Sequence, residues 1–360
     1  MIRPALAALL IVLLGATGCS VGGSTTIEAP VAVYVSLPLT GQRGIDGRDA
    51  ADGARLALEE AGGKAGSIEV RAHFLDDARG RAWDAVAVGV NARTAVQDHT
   101  TAAYIGELDS EPTRASAPIT NQAGIVQVSP GAGAVDLTAP AAGYPDTPDR
   151  YRPSGDVSFA RTVPADDVVV DAAAFWASEL GVTAAAVTSD GTAFQDLVAS
   201  EFESAAARHG IRVTQATPPS KVAVAPEGGT RAVYNPGLER LITYGGATRV
   251  LQLSAELDPS RLPGRLFLAQ FRQSFHRPAG PYAAYGYEAM SLVLQAIREA
   301  GSDASSFRDR VREAVIGAHR DQTVLGSYSI TSEGDTTECM IQRYRLKPIR
   351  VPLGAPCPPD

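Results

Sequence analysis

The sequence is poor in cysteine, methionine, tryptophan and charge, with 3 Cys, 3 Met and 2 Trp in 360 residues and only 20% charged side chains. Its cysteines form no CxxC, no HExxH occurs, and five histidines (His73, His99, His209, His276 and His319) stand singly, which excludes a zinc site. No GxSxG is present, so the nucleophile elbow of a secreted hydrolase is missing. Lys and Arg total 32 against 40 acidic residues, for a net charge of −8, and no basic run stands ready to neutralise a row of phosphates. Nucleic acid is therefore excluded as a partner. What the chain does have is length and apolar content: at 45% hydrophobic it can bury a core in each of two domains.

The amino terminus carries Arg3, then the apolar run from Ala5 to Leu14, then Gly15-Ala16-Thr17-Gly18 in front of Cys19. That run is too short to span a bilayer and has the pattern of an export signal. Small residues directly before a cysteine resemble the lipobox of bacterial lipoproteins. The resemblance implies a signal peptide over residues 1–18, lipid on Cys19, and an extracytoplasmic protein anchored to the cell membrane by that lipid. Residues 19–30 then form a tether, since Ser20 to Pro30 is rich in Gly, Ser and Thr and lacks a hydrophobic period. Two cysteines remain, Cys339 and Cys357, and an even pair in an oxidising exterior reads as a disulfide.

From residue 31 short apolar runs alternate with helical stretches, the pattern of βαβ units and a mainly parallel sheet. Strands are expected over Val31 to Leu37, Ile68 to Leu75, Ala102 to Ile105 and Ile125 to Val128, with helices over Asp49 to Ala61, Trp83 to Gln97 and Arg114 to Gln122. Residues 131–155, dense in Pro, Gly and Ala, read as a long boundary loop. A second series follows: a helix from Asp166 to Leu180, a strand from Thr183 to Thr188, a helix from Phe194 to His209 and a strand from Ile211. The pattern gives no assignment between Thr217 and Tyr244. It returns with a strand at Arg249 to Ser254, a short helix ending near Phe275, helices over Tyr282 to Ala300 and Ser306 to Val315, and an expected hairpin pairing Leu325 to Thr331 with Met340 to Leu346.

Four stretches carry a wider resemblance: SLPLTGQRGIDGRDAADGARLALEEAGG, AYIGELDSEPT, IVQVSPGAGAVDLT, and GPYAAYGYEAMSLVLQAIREAGS followed by TVLGSYSITSEGD. In content and order they resemble the type I periplasmic binding proteins, specifically the branched-chain amino-acid receptors of ABC transporters. The resemblance implies an α/β fold of two Rossmann-like three-layer lobes around a cleft, joined by three crossovers near Gly155, Pro281 and Gly326. Residues 31–155 with 281–325 would form lobe 1, and 156–280 with 326–360 a shortened lobe 2.

The same resemblance places ligand contacts on Asp46, Ser110, Gly131, Ala132, Gly133 and Phe194. Here Gly133 stands where the family has a threonine, and Phe194 where it has a tyrosine. The family's acid that holds a ligand ammonium has no clear counterpart in this sequence. Glycines after strand ends also have a plainer use, as tight turns, alongside the one in which their N–H groups face a crevice. Tyr282, Tyr285 and Tyr287 either line the cleft or pack the hinge, and the pairs Asp76-Asp77 and Asp166-Asp167 fit helix or strand capping better than acid–base catalysis. The expectation is a solute-binding lipoprotein rather than an enzyme, without cofactor or metal, that binds a small polar, carboxylate or amino-acid-like ligand and presents it to an ABC permease. The alternative is a ligand-sensing receptor of the same fold without transport.

Overall fold

The computed structural model describes residues 26–216, 230–235, 240–244, 249–347 and 349–354. The chain begins with β1 (Val31–Leu37), buried at all seven positions as expected of a strand covered on both faces. There follow α1 (Gly44–Glu60), β2 (Lys64–Ala65), β3 (Ile68–Asp76), α2 (Ala85–Gln97), β4 (Thr101–Ile105), α3 (Ser110–Gln122), β5 (Val126–Ser129) and β6 (Phe159–Arg161). They form one six-stranded sheet in the order β2-β3-β1-β4-β5-β6, parallel except for β2. Parallel pairing puts the carboxyl ends of β1, β3, β4 and β5 on one edge, the edge where open α/β sheets hold ligands.

The second half contains α4 (Asp166–Glu179), β7 (Val182–Thr188), α5 (Ala193–Arg208), β8 (Arg212–Ala216), β9 (Thr230–Asn235), β10 (Arg240–Tyr244) and β11 (Arg249–Ser254). Then come α6 (Arg265–Phe275), α7 (Ala283–Ala300), α8 (Phe307–Val315), β12 (His319–Thr323), β13 (Gly326–Ser329), β14 (Gln342–Lys347) and β15 (Ile349–Gly354). Seven strands make the second sheet, in the order β15-β14-β11-β10-β9-β7-β8. There β8, β7 and β9 run parallel to one another, whereas each successive pair from β9 through β10, β11 and β14 to β15 is antiparallel. The expected mainly parallel sheet is thus mixed in this half. The reason is connection length, because the links at 236–239 and 245–248 are far shorter than the dozen or so residues a parallel crossover needs.

Two cores accompany the two sheets. Leu257, Leu262, Phe267 and Phe271 share the first core with β1, α1 and α7, whereas Ile341 belongs to the second and Ala255 packs against both. The chain therefore leaves the first sheet after Arg161, re-enters its core at Leu257, and leaves it again beyond Ile330. The sequence places these passages near Gly155, Pro281 and Gly326. The differences have packing causes: Phe159 extends the first sheet through β6, Phe267 and Phe271 bury α6 against the first core, and Tyr328 donates its hydroxyl to the buried Glu288 of α7 at 3.0 Å.

The expected hairpin between Leu325 to Thr331 and Met340 to Leu346 does not form. β13 pairs with β12 and β14 pairs with β11 and β15, while the turn at Glu333-Gly334 closes a single bridge, Ile330 to Thr336. A nearer partner wins, since β12 precedes β13 by two residues. Helices α1 and α7 touch backbone to backbone: a methyl group on Gly53 would stand 1.9 Å from the Ala283 carbonyl oxygen, and one on Gly286 2.0 Å from that of Ala50. Among the described residues no helix is long and apolar enough to cross a membrane.

Candidate functional site

The loop after β1 turns into α1 at Arg43, and the first turn of that helix carries Asp46. Arg43 is the centre of the arrangement. Its Nη1 lies 3.0 Å from Asp46, its Nη2 3.1 Å from Asp109, and Nη2 also donates to the Tyr282 hydroxyl at 3.3 Å. The guanidinium further lies over the Tyr282 ring, 5.2 Å from its centre. Three segments distant in sequence thus meet here: the β1–α1 loop, the residue before α3, and the residue before α7.

Electrostatics tie the group together. Burial raises both Asp46 and Asp109 above the usual carboxylate range, against the opposing pull of Arg43. Burial likewise raises Tyr282, and Glu256, two residues past β11, adds to the upward push on Asp46 and Tyr282. For Arg43 burial favours the neutral form, yet Tyr282, Asp109 and Asp46 outweigh it and hold the cation. One cation and three carboxyl groups make this patch acidic.

A second group lies on the β4 and β5 ends. The Ser110 hydroxyl oxygen, at the start of α3, accepts the Ala134 N–H at 3.0 Å, which leaves its own hydrogen to donate. The Ser129 hydroxyl donates to the Glu107 carbonyl at 2.6 Å, and its oxygen accepts the N–H groups of Gly131 and Ala132 at 3.2 and 2.8 Å. Gly133 gives its carbonyl to the Asp166 N–H at 2.8 Å, and a methyl group there would stand 2.3 Å from the Asp166 carboxylate, so glycine is required by a close approach. Beneath the loop, the fully buried Arg161 donates to the carbonyls of Ala132 and Ala134, to Thr138 and to Asp335. The 131–134 loop is therefore held in place by the side chains of Ser110, Ser129 and Arg161 together with one backbone bond to Asp166.

The residues expected from sequence are distributed as follows. Asp46 joins the Arg43 group, and Ser110 meets the 131–134 loop through Ala134. Phe194 is the second residue of α5 on the other lobe and 39% exposed, with no bond among the described residues to the first-lobe loops. Cys19 and Cys357 lie outside the described residues, so the anchor and the disulfide are not addressed by this geometry. Arg43, Asp109 and Glu256 were missed. The i, i+3 spacing of Arg43 and Asp46, and the place of Asp109 directly before Ser110, were the available signals. Two surface cavities, of about 420 and 670 Å³, lie elsewhere, one beside Ile27, His99 and Arg308 and one beside Arg265, Leu268 and Arg272.

The profile described as "Receptor family ligand binding region" matches residues 54–241, more than half of the chain. The chain belongs to this receptor ligand-binding family. No curated protein sequence matches it. Among solved structures, a leucine-binding protein from Thermotoga maritima is 17% identical over 91% of this chain and 99% of its own, with a TM-score of 0.66. A branched-chain amino-acid substrate-binding protein from Streptococcus pneumoniae, in complex with isoleucine, is 12% identical over 91% of this chain and 100% of its own, with a TM-score of 0.65. A solute-binding protein of an ABC transporter from Rhodopseudomonas palustris, in complex with 3,4-dihydroxybenzoic acid, is 16% identical over 91% of this chain and 99% of its own, with a TM-score of 0.64. At these identities the likeness is one of fold: the receptor-family chain has the two-lobed architecture of the type I periplasmic binding proteins.

Proposed function

We propose that this protein is an extracytoplasmic solute receptor, tethered by lipid on Cys19, that closes its two lobes on a small polar ligand and presents it to an ABC permease. One observation carries the reading: Arg43 gathers Asp46, Asp109 and Tyr282 from three separate segments at the carboxyl edge of the first sheet. Ser110 and the 131–133 loop supply the neighbouring polar wall, with Ser110 donating its free hydrogen to a ligand oxygen. Phe194 covers the ligand from the other lobe, and Glu256 takes the place of the acid that faces a ligand ammonium. An amino-acid-like ligand fits this division of charge better than a simple anion, because Asp46, Asp109 and Glu256 outnumber Arg43. A binding role needs no catalytic group, and none is assigned.

The test is identification of the solute that co-purifies with the chain, followed by thermal shift with amino acids and aromatic carboxylates. A ligand at about 100 times its Kd adds roughly 2.7 kcal/mol. Ser110→Ala should remove most of that ligand-induced shift, while its cost to the ligand-free protein, about 1 kcal/mol for the Ala134 N–H bond, is measured separately. Equal ligand stabilisation of wild type and Ser110→Ala would overturn the assignment. For the anchor, Cys19→Ala in a lipidating host should move the protein out of the membrane fraction, and unchanged fractionation would refute it.

A further inference from the structure

Two adjacent carboxyl groups at the end of β3 have opposite surroundings. Asp76 accepts the N–H groups of Leu39, Thr40, Ala78 and Arg79 and the Thr40 hydroxyl. Although burial works against its charge, these donors hold it below the usual carboxylate range. Asp77 is 0% exposed, and among the described residues no basic or hydroxyl side chain donates to its carboxyl oxygens. Its neighbour is Glu107, just past β4 and also 0% exposed, whose Oε1 accepts the Tyr104 hydroxyl at 2.6 Å while Oε2 has no donor among the described residues. The two carboxyl groups are within hydrogen-bond reach of each other.

Ionised carboxylates only accept hydrogen bonds, and two in contact without a cation cannot both keep their charge. The charged and titratable groups around the pair are Asp76 on β3, Tyr104 on β4 and Asp109 before α3, none of which brings a positive charge. From α2 comes the neutral Asn91, bonded to Ser36 of β1 at 3.0 Å. The nearby cation Arg43 is committed to Asp46 and Asp109. We infer that Asp77 and Glu107 share one proton, forming an acid–carboxylate clasp that joins the ends of β3 and β4 directly beneath the ligand edge, and that loss of this proton at rising pH loosens that edge.

The connection to the edge is short. The Glu107 carbonyl accepts the Ser129 hydroxyl, whose oxygen holds the Gly131 and Ala132 N–H groups, and Asp109 follows Glu107 by two residues. Burial pushes Asp77 up to about 7 and Glu107 well above the usual carboxylate range. Both are raised relative to the unfolded chain. The stability of the buried pair is therefore full below the unfolded carboxyl range, starts to be lost as pH rises through about 7, where the pair sheds the first of its two protons, and is lost further as pH enters the higher range of Glu107, where the shared proton leaves.

The experiment is thermal unfolding of the full chain and of Asp77→Asn from about pH 5 to about pH 9. Asparagine donates an N–H to Glu107 without needing a proton from solution, so the variant should gain roughly 2–4 °C or more on wild type across this range. Parallel pH profiles would overturn the clasp. Other buried acids titrate in the same window, but they are common to both proteins and cancel in the difference. Should Asp77→Asn fail to fold, Glu107→Gln offers the same comparison from the other side. Infrared spectra of wild type provide an independent reading. A protonated carboxyl band present near neutrality and weakened in either variant supports the clasp, and a wild-type spectrum without such a band overturns it.

Discussion

Arg43 Nη2 lies 3.1 Å from Asp109 Oδ1, and this pair joins the β1–α1 loop to the start of α3. Arg43→Met keeps the apolar stem over Tyr282 but leaves Asp46 and Asp109 without their cation. Since burial already raises both carboxyls and Arg43 opposes that rise, the variant should lose about 1 kcal/mol near neutral pH, a modest figure because the pair is partly exposed. The loss should shrink in acid, where the carboxyls protonate. Denaturant titrations at neutral and acidic pH check this, and an equal loss at both would point to packing rather than charge.

Gly286→Ala should destabilise the protein by roughly 1–3 kcal/mol, as overpacking does. The added methyl group would stand 2.0 Å from the Ala50 carbonyl oxygen, a backbone atom that yields only if α1 and α7 separate. Gly62→Ala meets nothing within 4 Å, although its φ of +64° strains an alanine. Melting both variants separates a steric cost between helices from a conformational cost at a turn, and a Gly286→Ala protein as stable as wild type would mean that the helices part easily.

Glu201, on α5, is pushed up to about 8 by burial and by the carboxylates Asp166, Asp167 and Asp136, and its Oε2 has no hydrogen-bond donor among the described residues. Its folded value exceeds the ordinary 4.5. The sign follows: the protonated form is favoured by folding, so stability is complete below about 4.5 and is lost as pH rises toward 8. Glu201→Gln should match wild type in acid and exceed it by on the order of 2 kcal/mol at mildly alkaline pH. Denaturation across that range measures the difference, and a constant offset would show that Glu201 does not titrate there.

The fold was legible where one physical signal dominated. The six apolar residues of Val31 to Leu37, and the stripe of Met290, Val293, Leu294 and Ile297, placed β1 and α7 because burial alone fixes such elements. The antiparallel run from β9 to β11 was not legible, since its order depends on which strand edge each segment finds. Likewise β13 follows its near neighbour β12 rather than the strand suggested by the Glu333-Gly334 turn. Of the site, Asp46 and Ser110 were visible through local strings. Arg43, Asp109 and Glu256 were not, because their meaning lies in contacts across long sequence separations. The Asp77–Glu107 contact was invisible for the same reason: a carboxylate at a strand end looks the same in sequence whether it is capped, as Asp76 is, or enclosed.

Cys339 and Cys357 are proposed to form a disulfide. The register of β14 with β15 pairs Arg343 with Gly354, so the start of β14 and the end of β15 lie side by side. In sequence Cys339 precedes Arg343 and Cys357 follows Gly354, and an even pair of cysteines in an oxidising exterior favours the bond. Closing a loop of this length should add roughly 3 kcal/mol in the chain-entropy treatment. The bond would fix β15, which among the described residues pairs with β14 alone at the edge of the second sheet. Mass spectrometry of a non-reduced digest should find the two peptides linked, and reduction should lower the melting temperature while leaving the Ser110-dependent ligand shift in place. Two free thiols in the exported protein would refute the pairing.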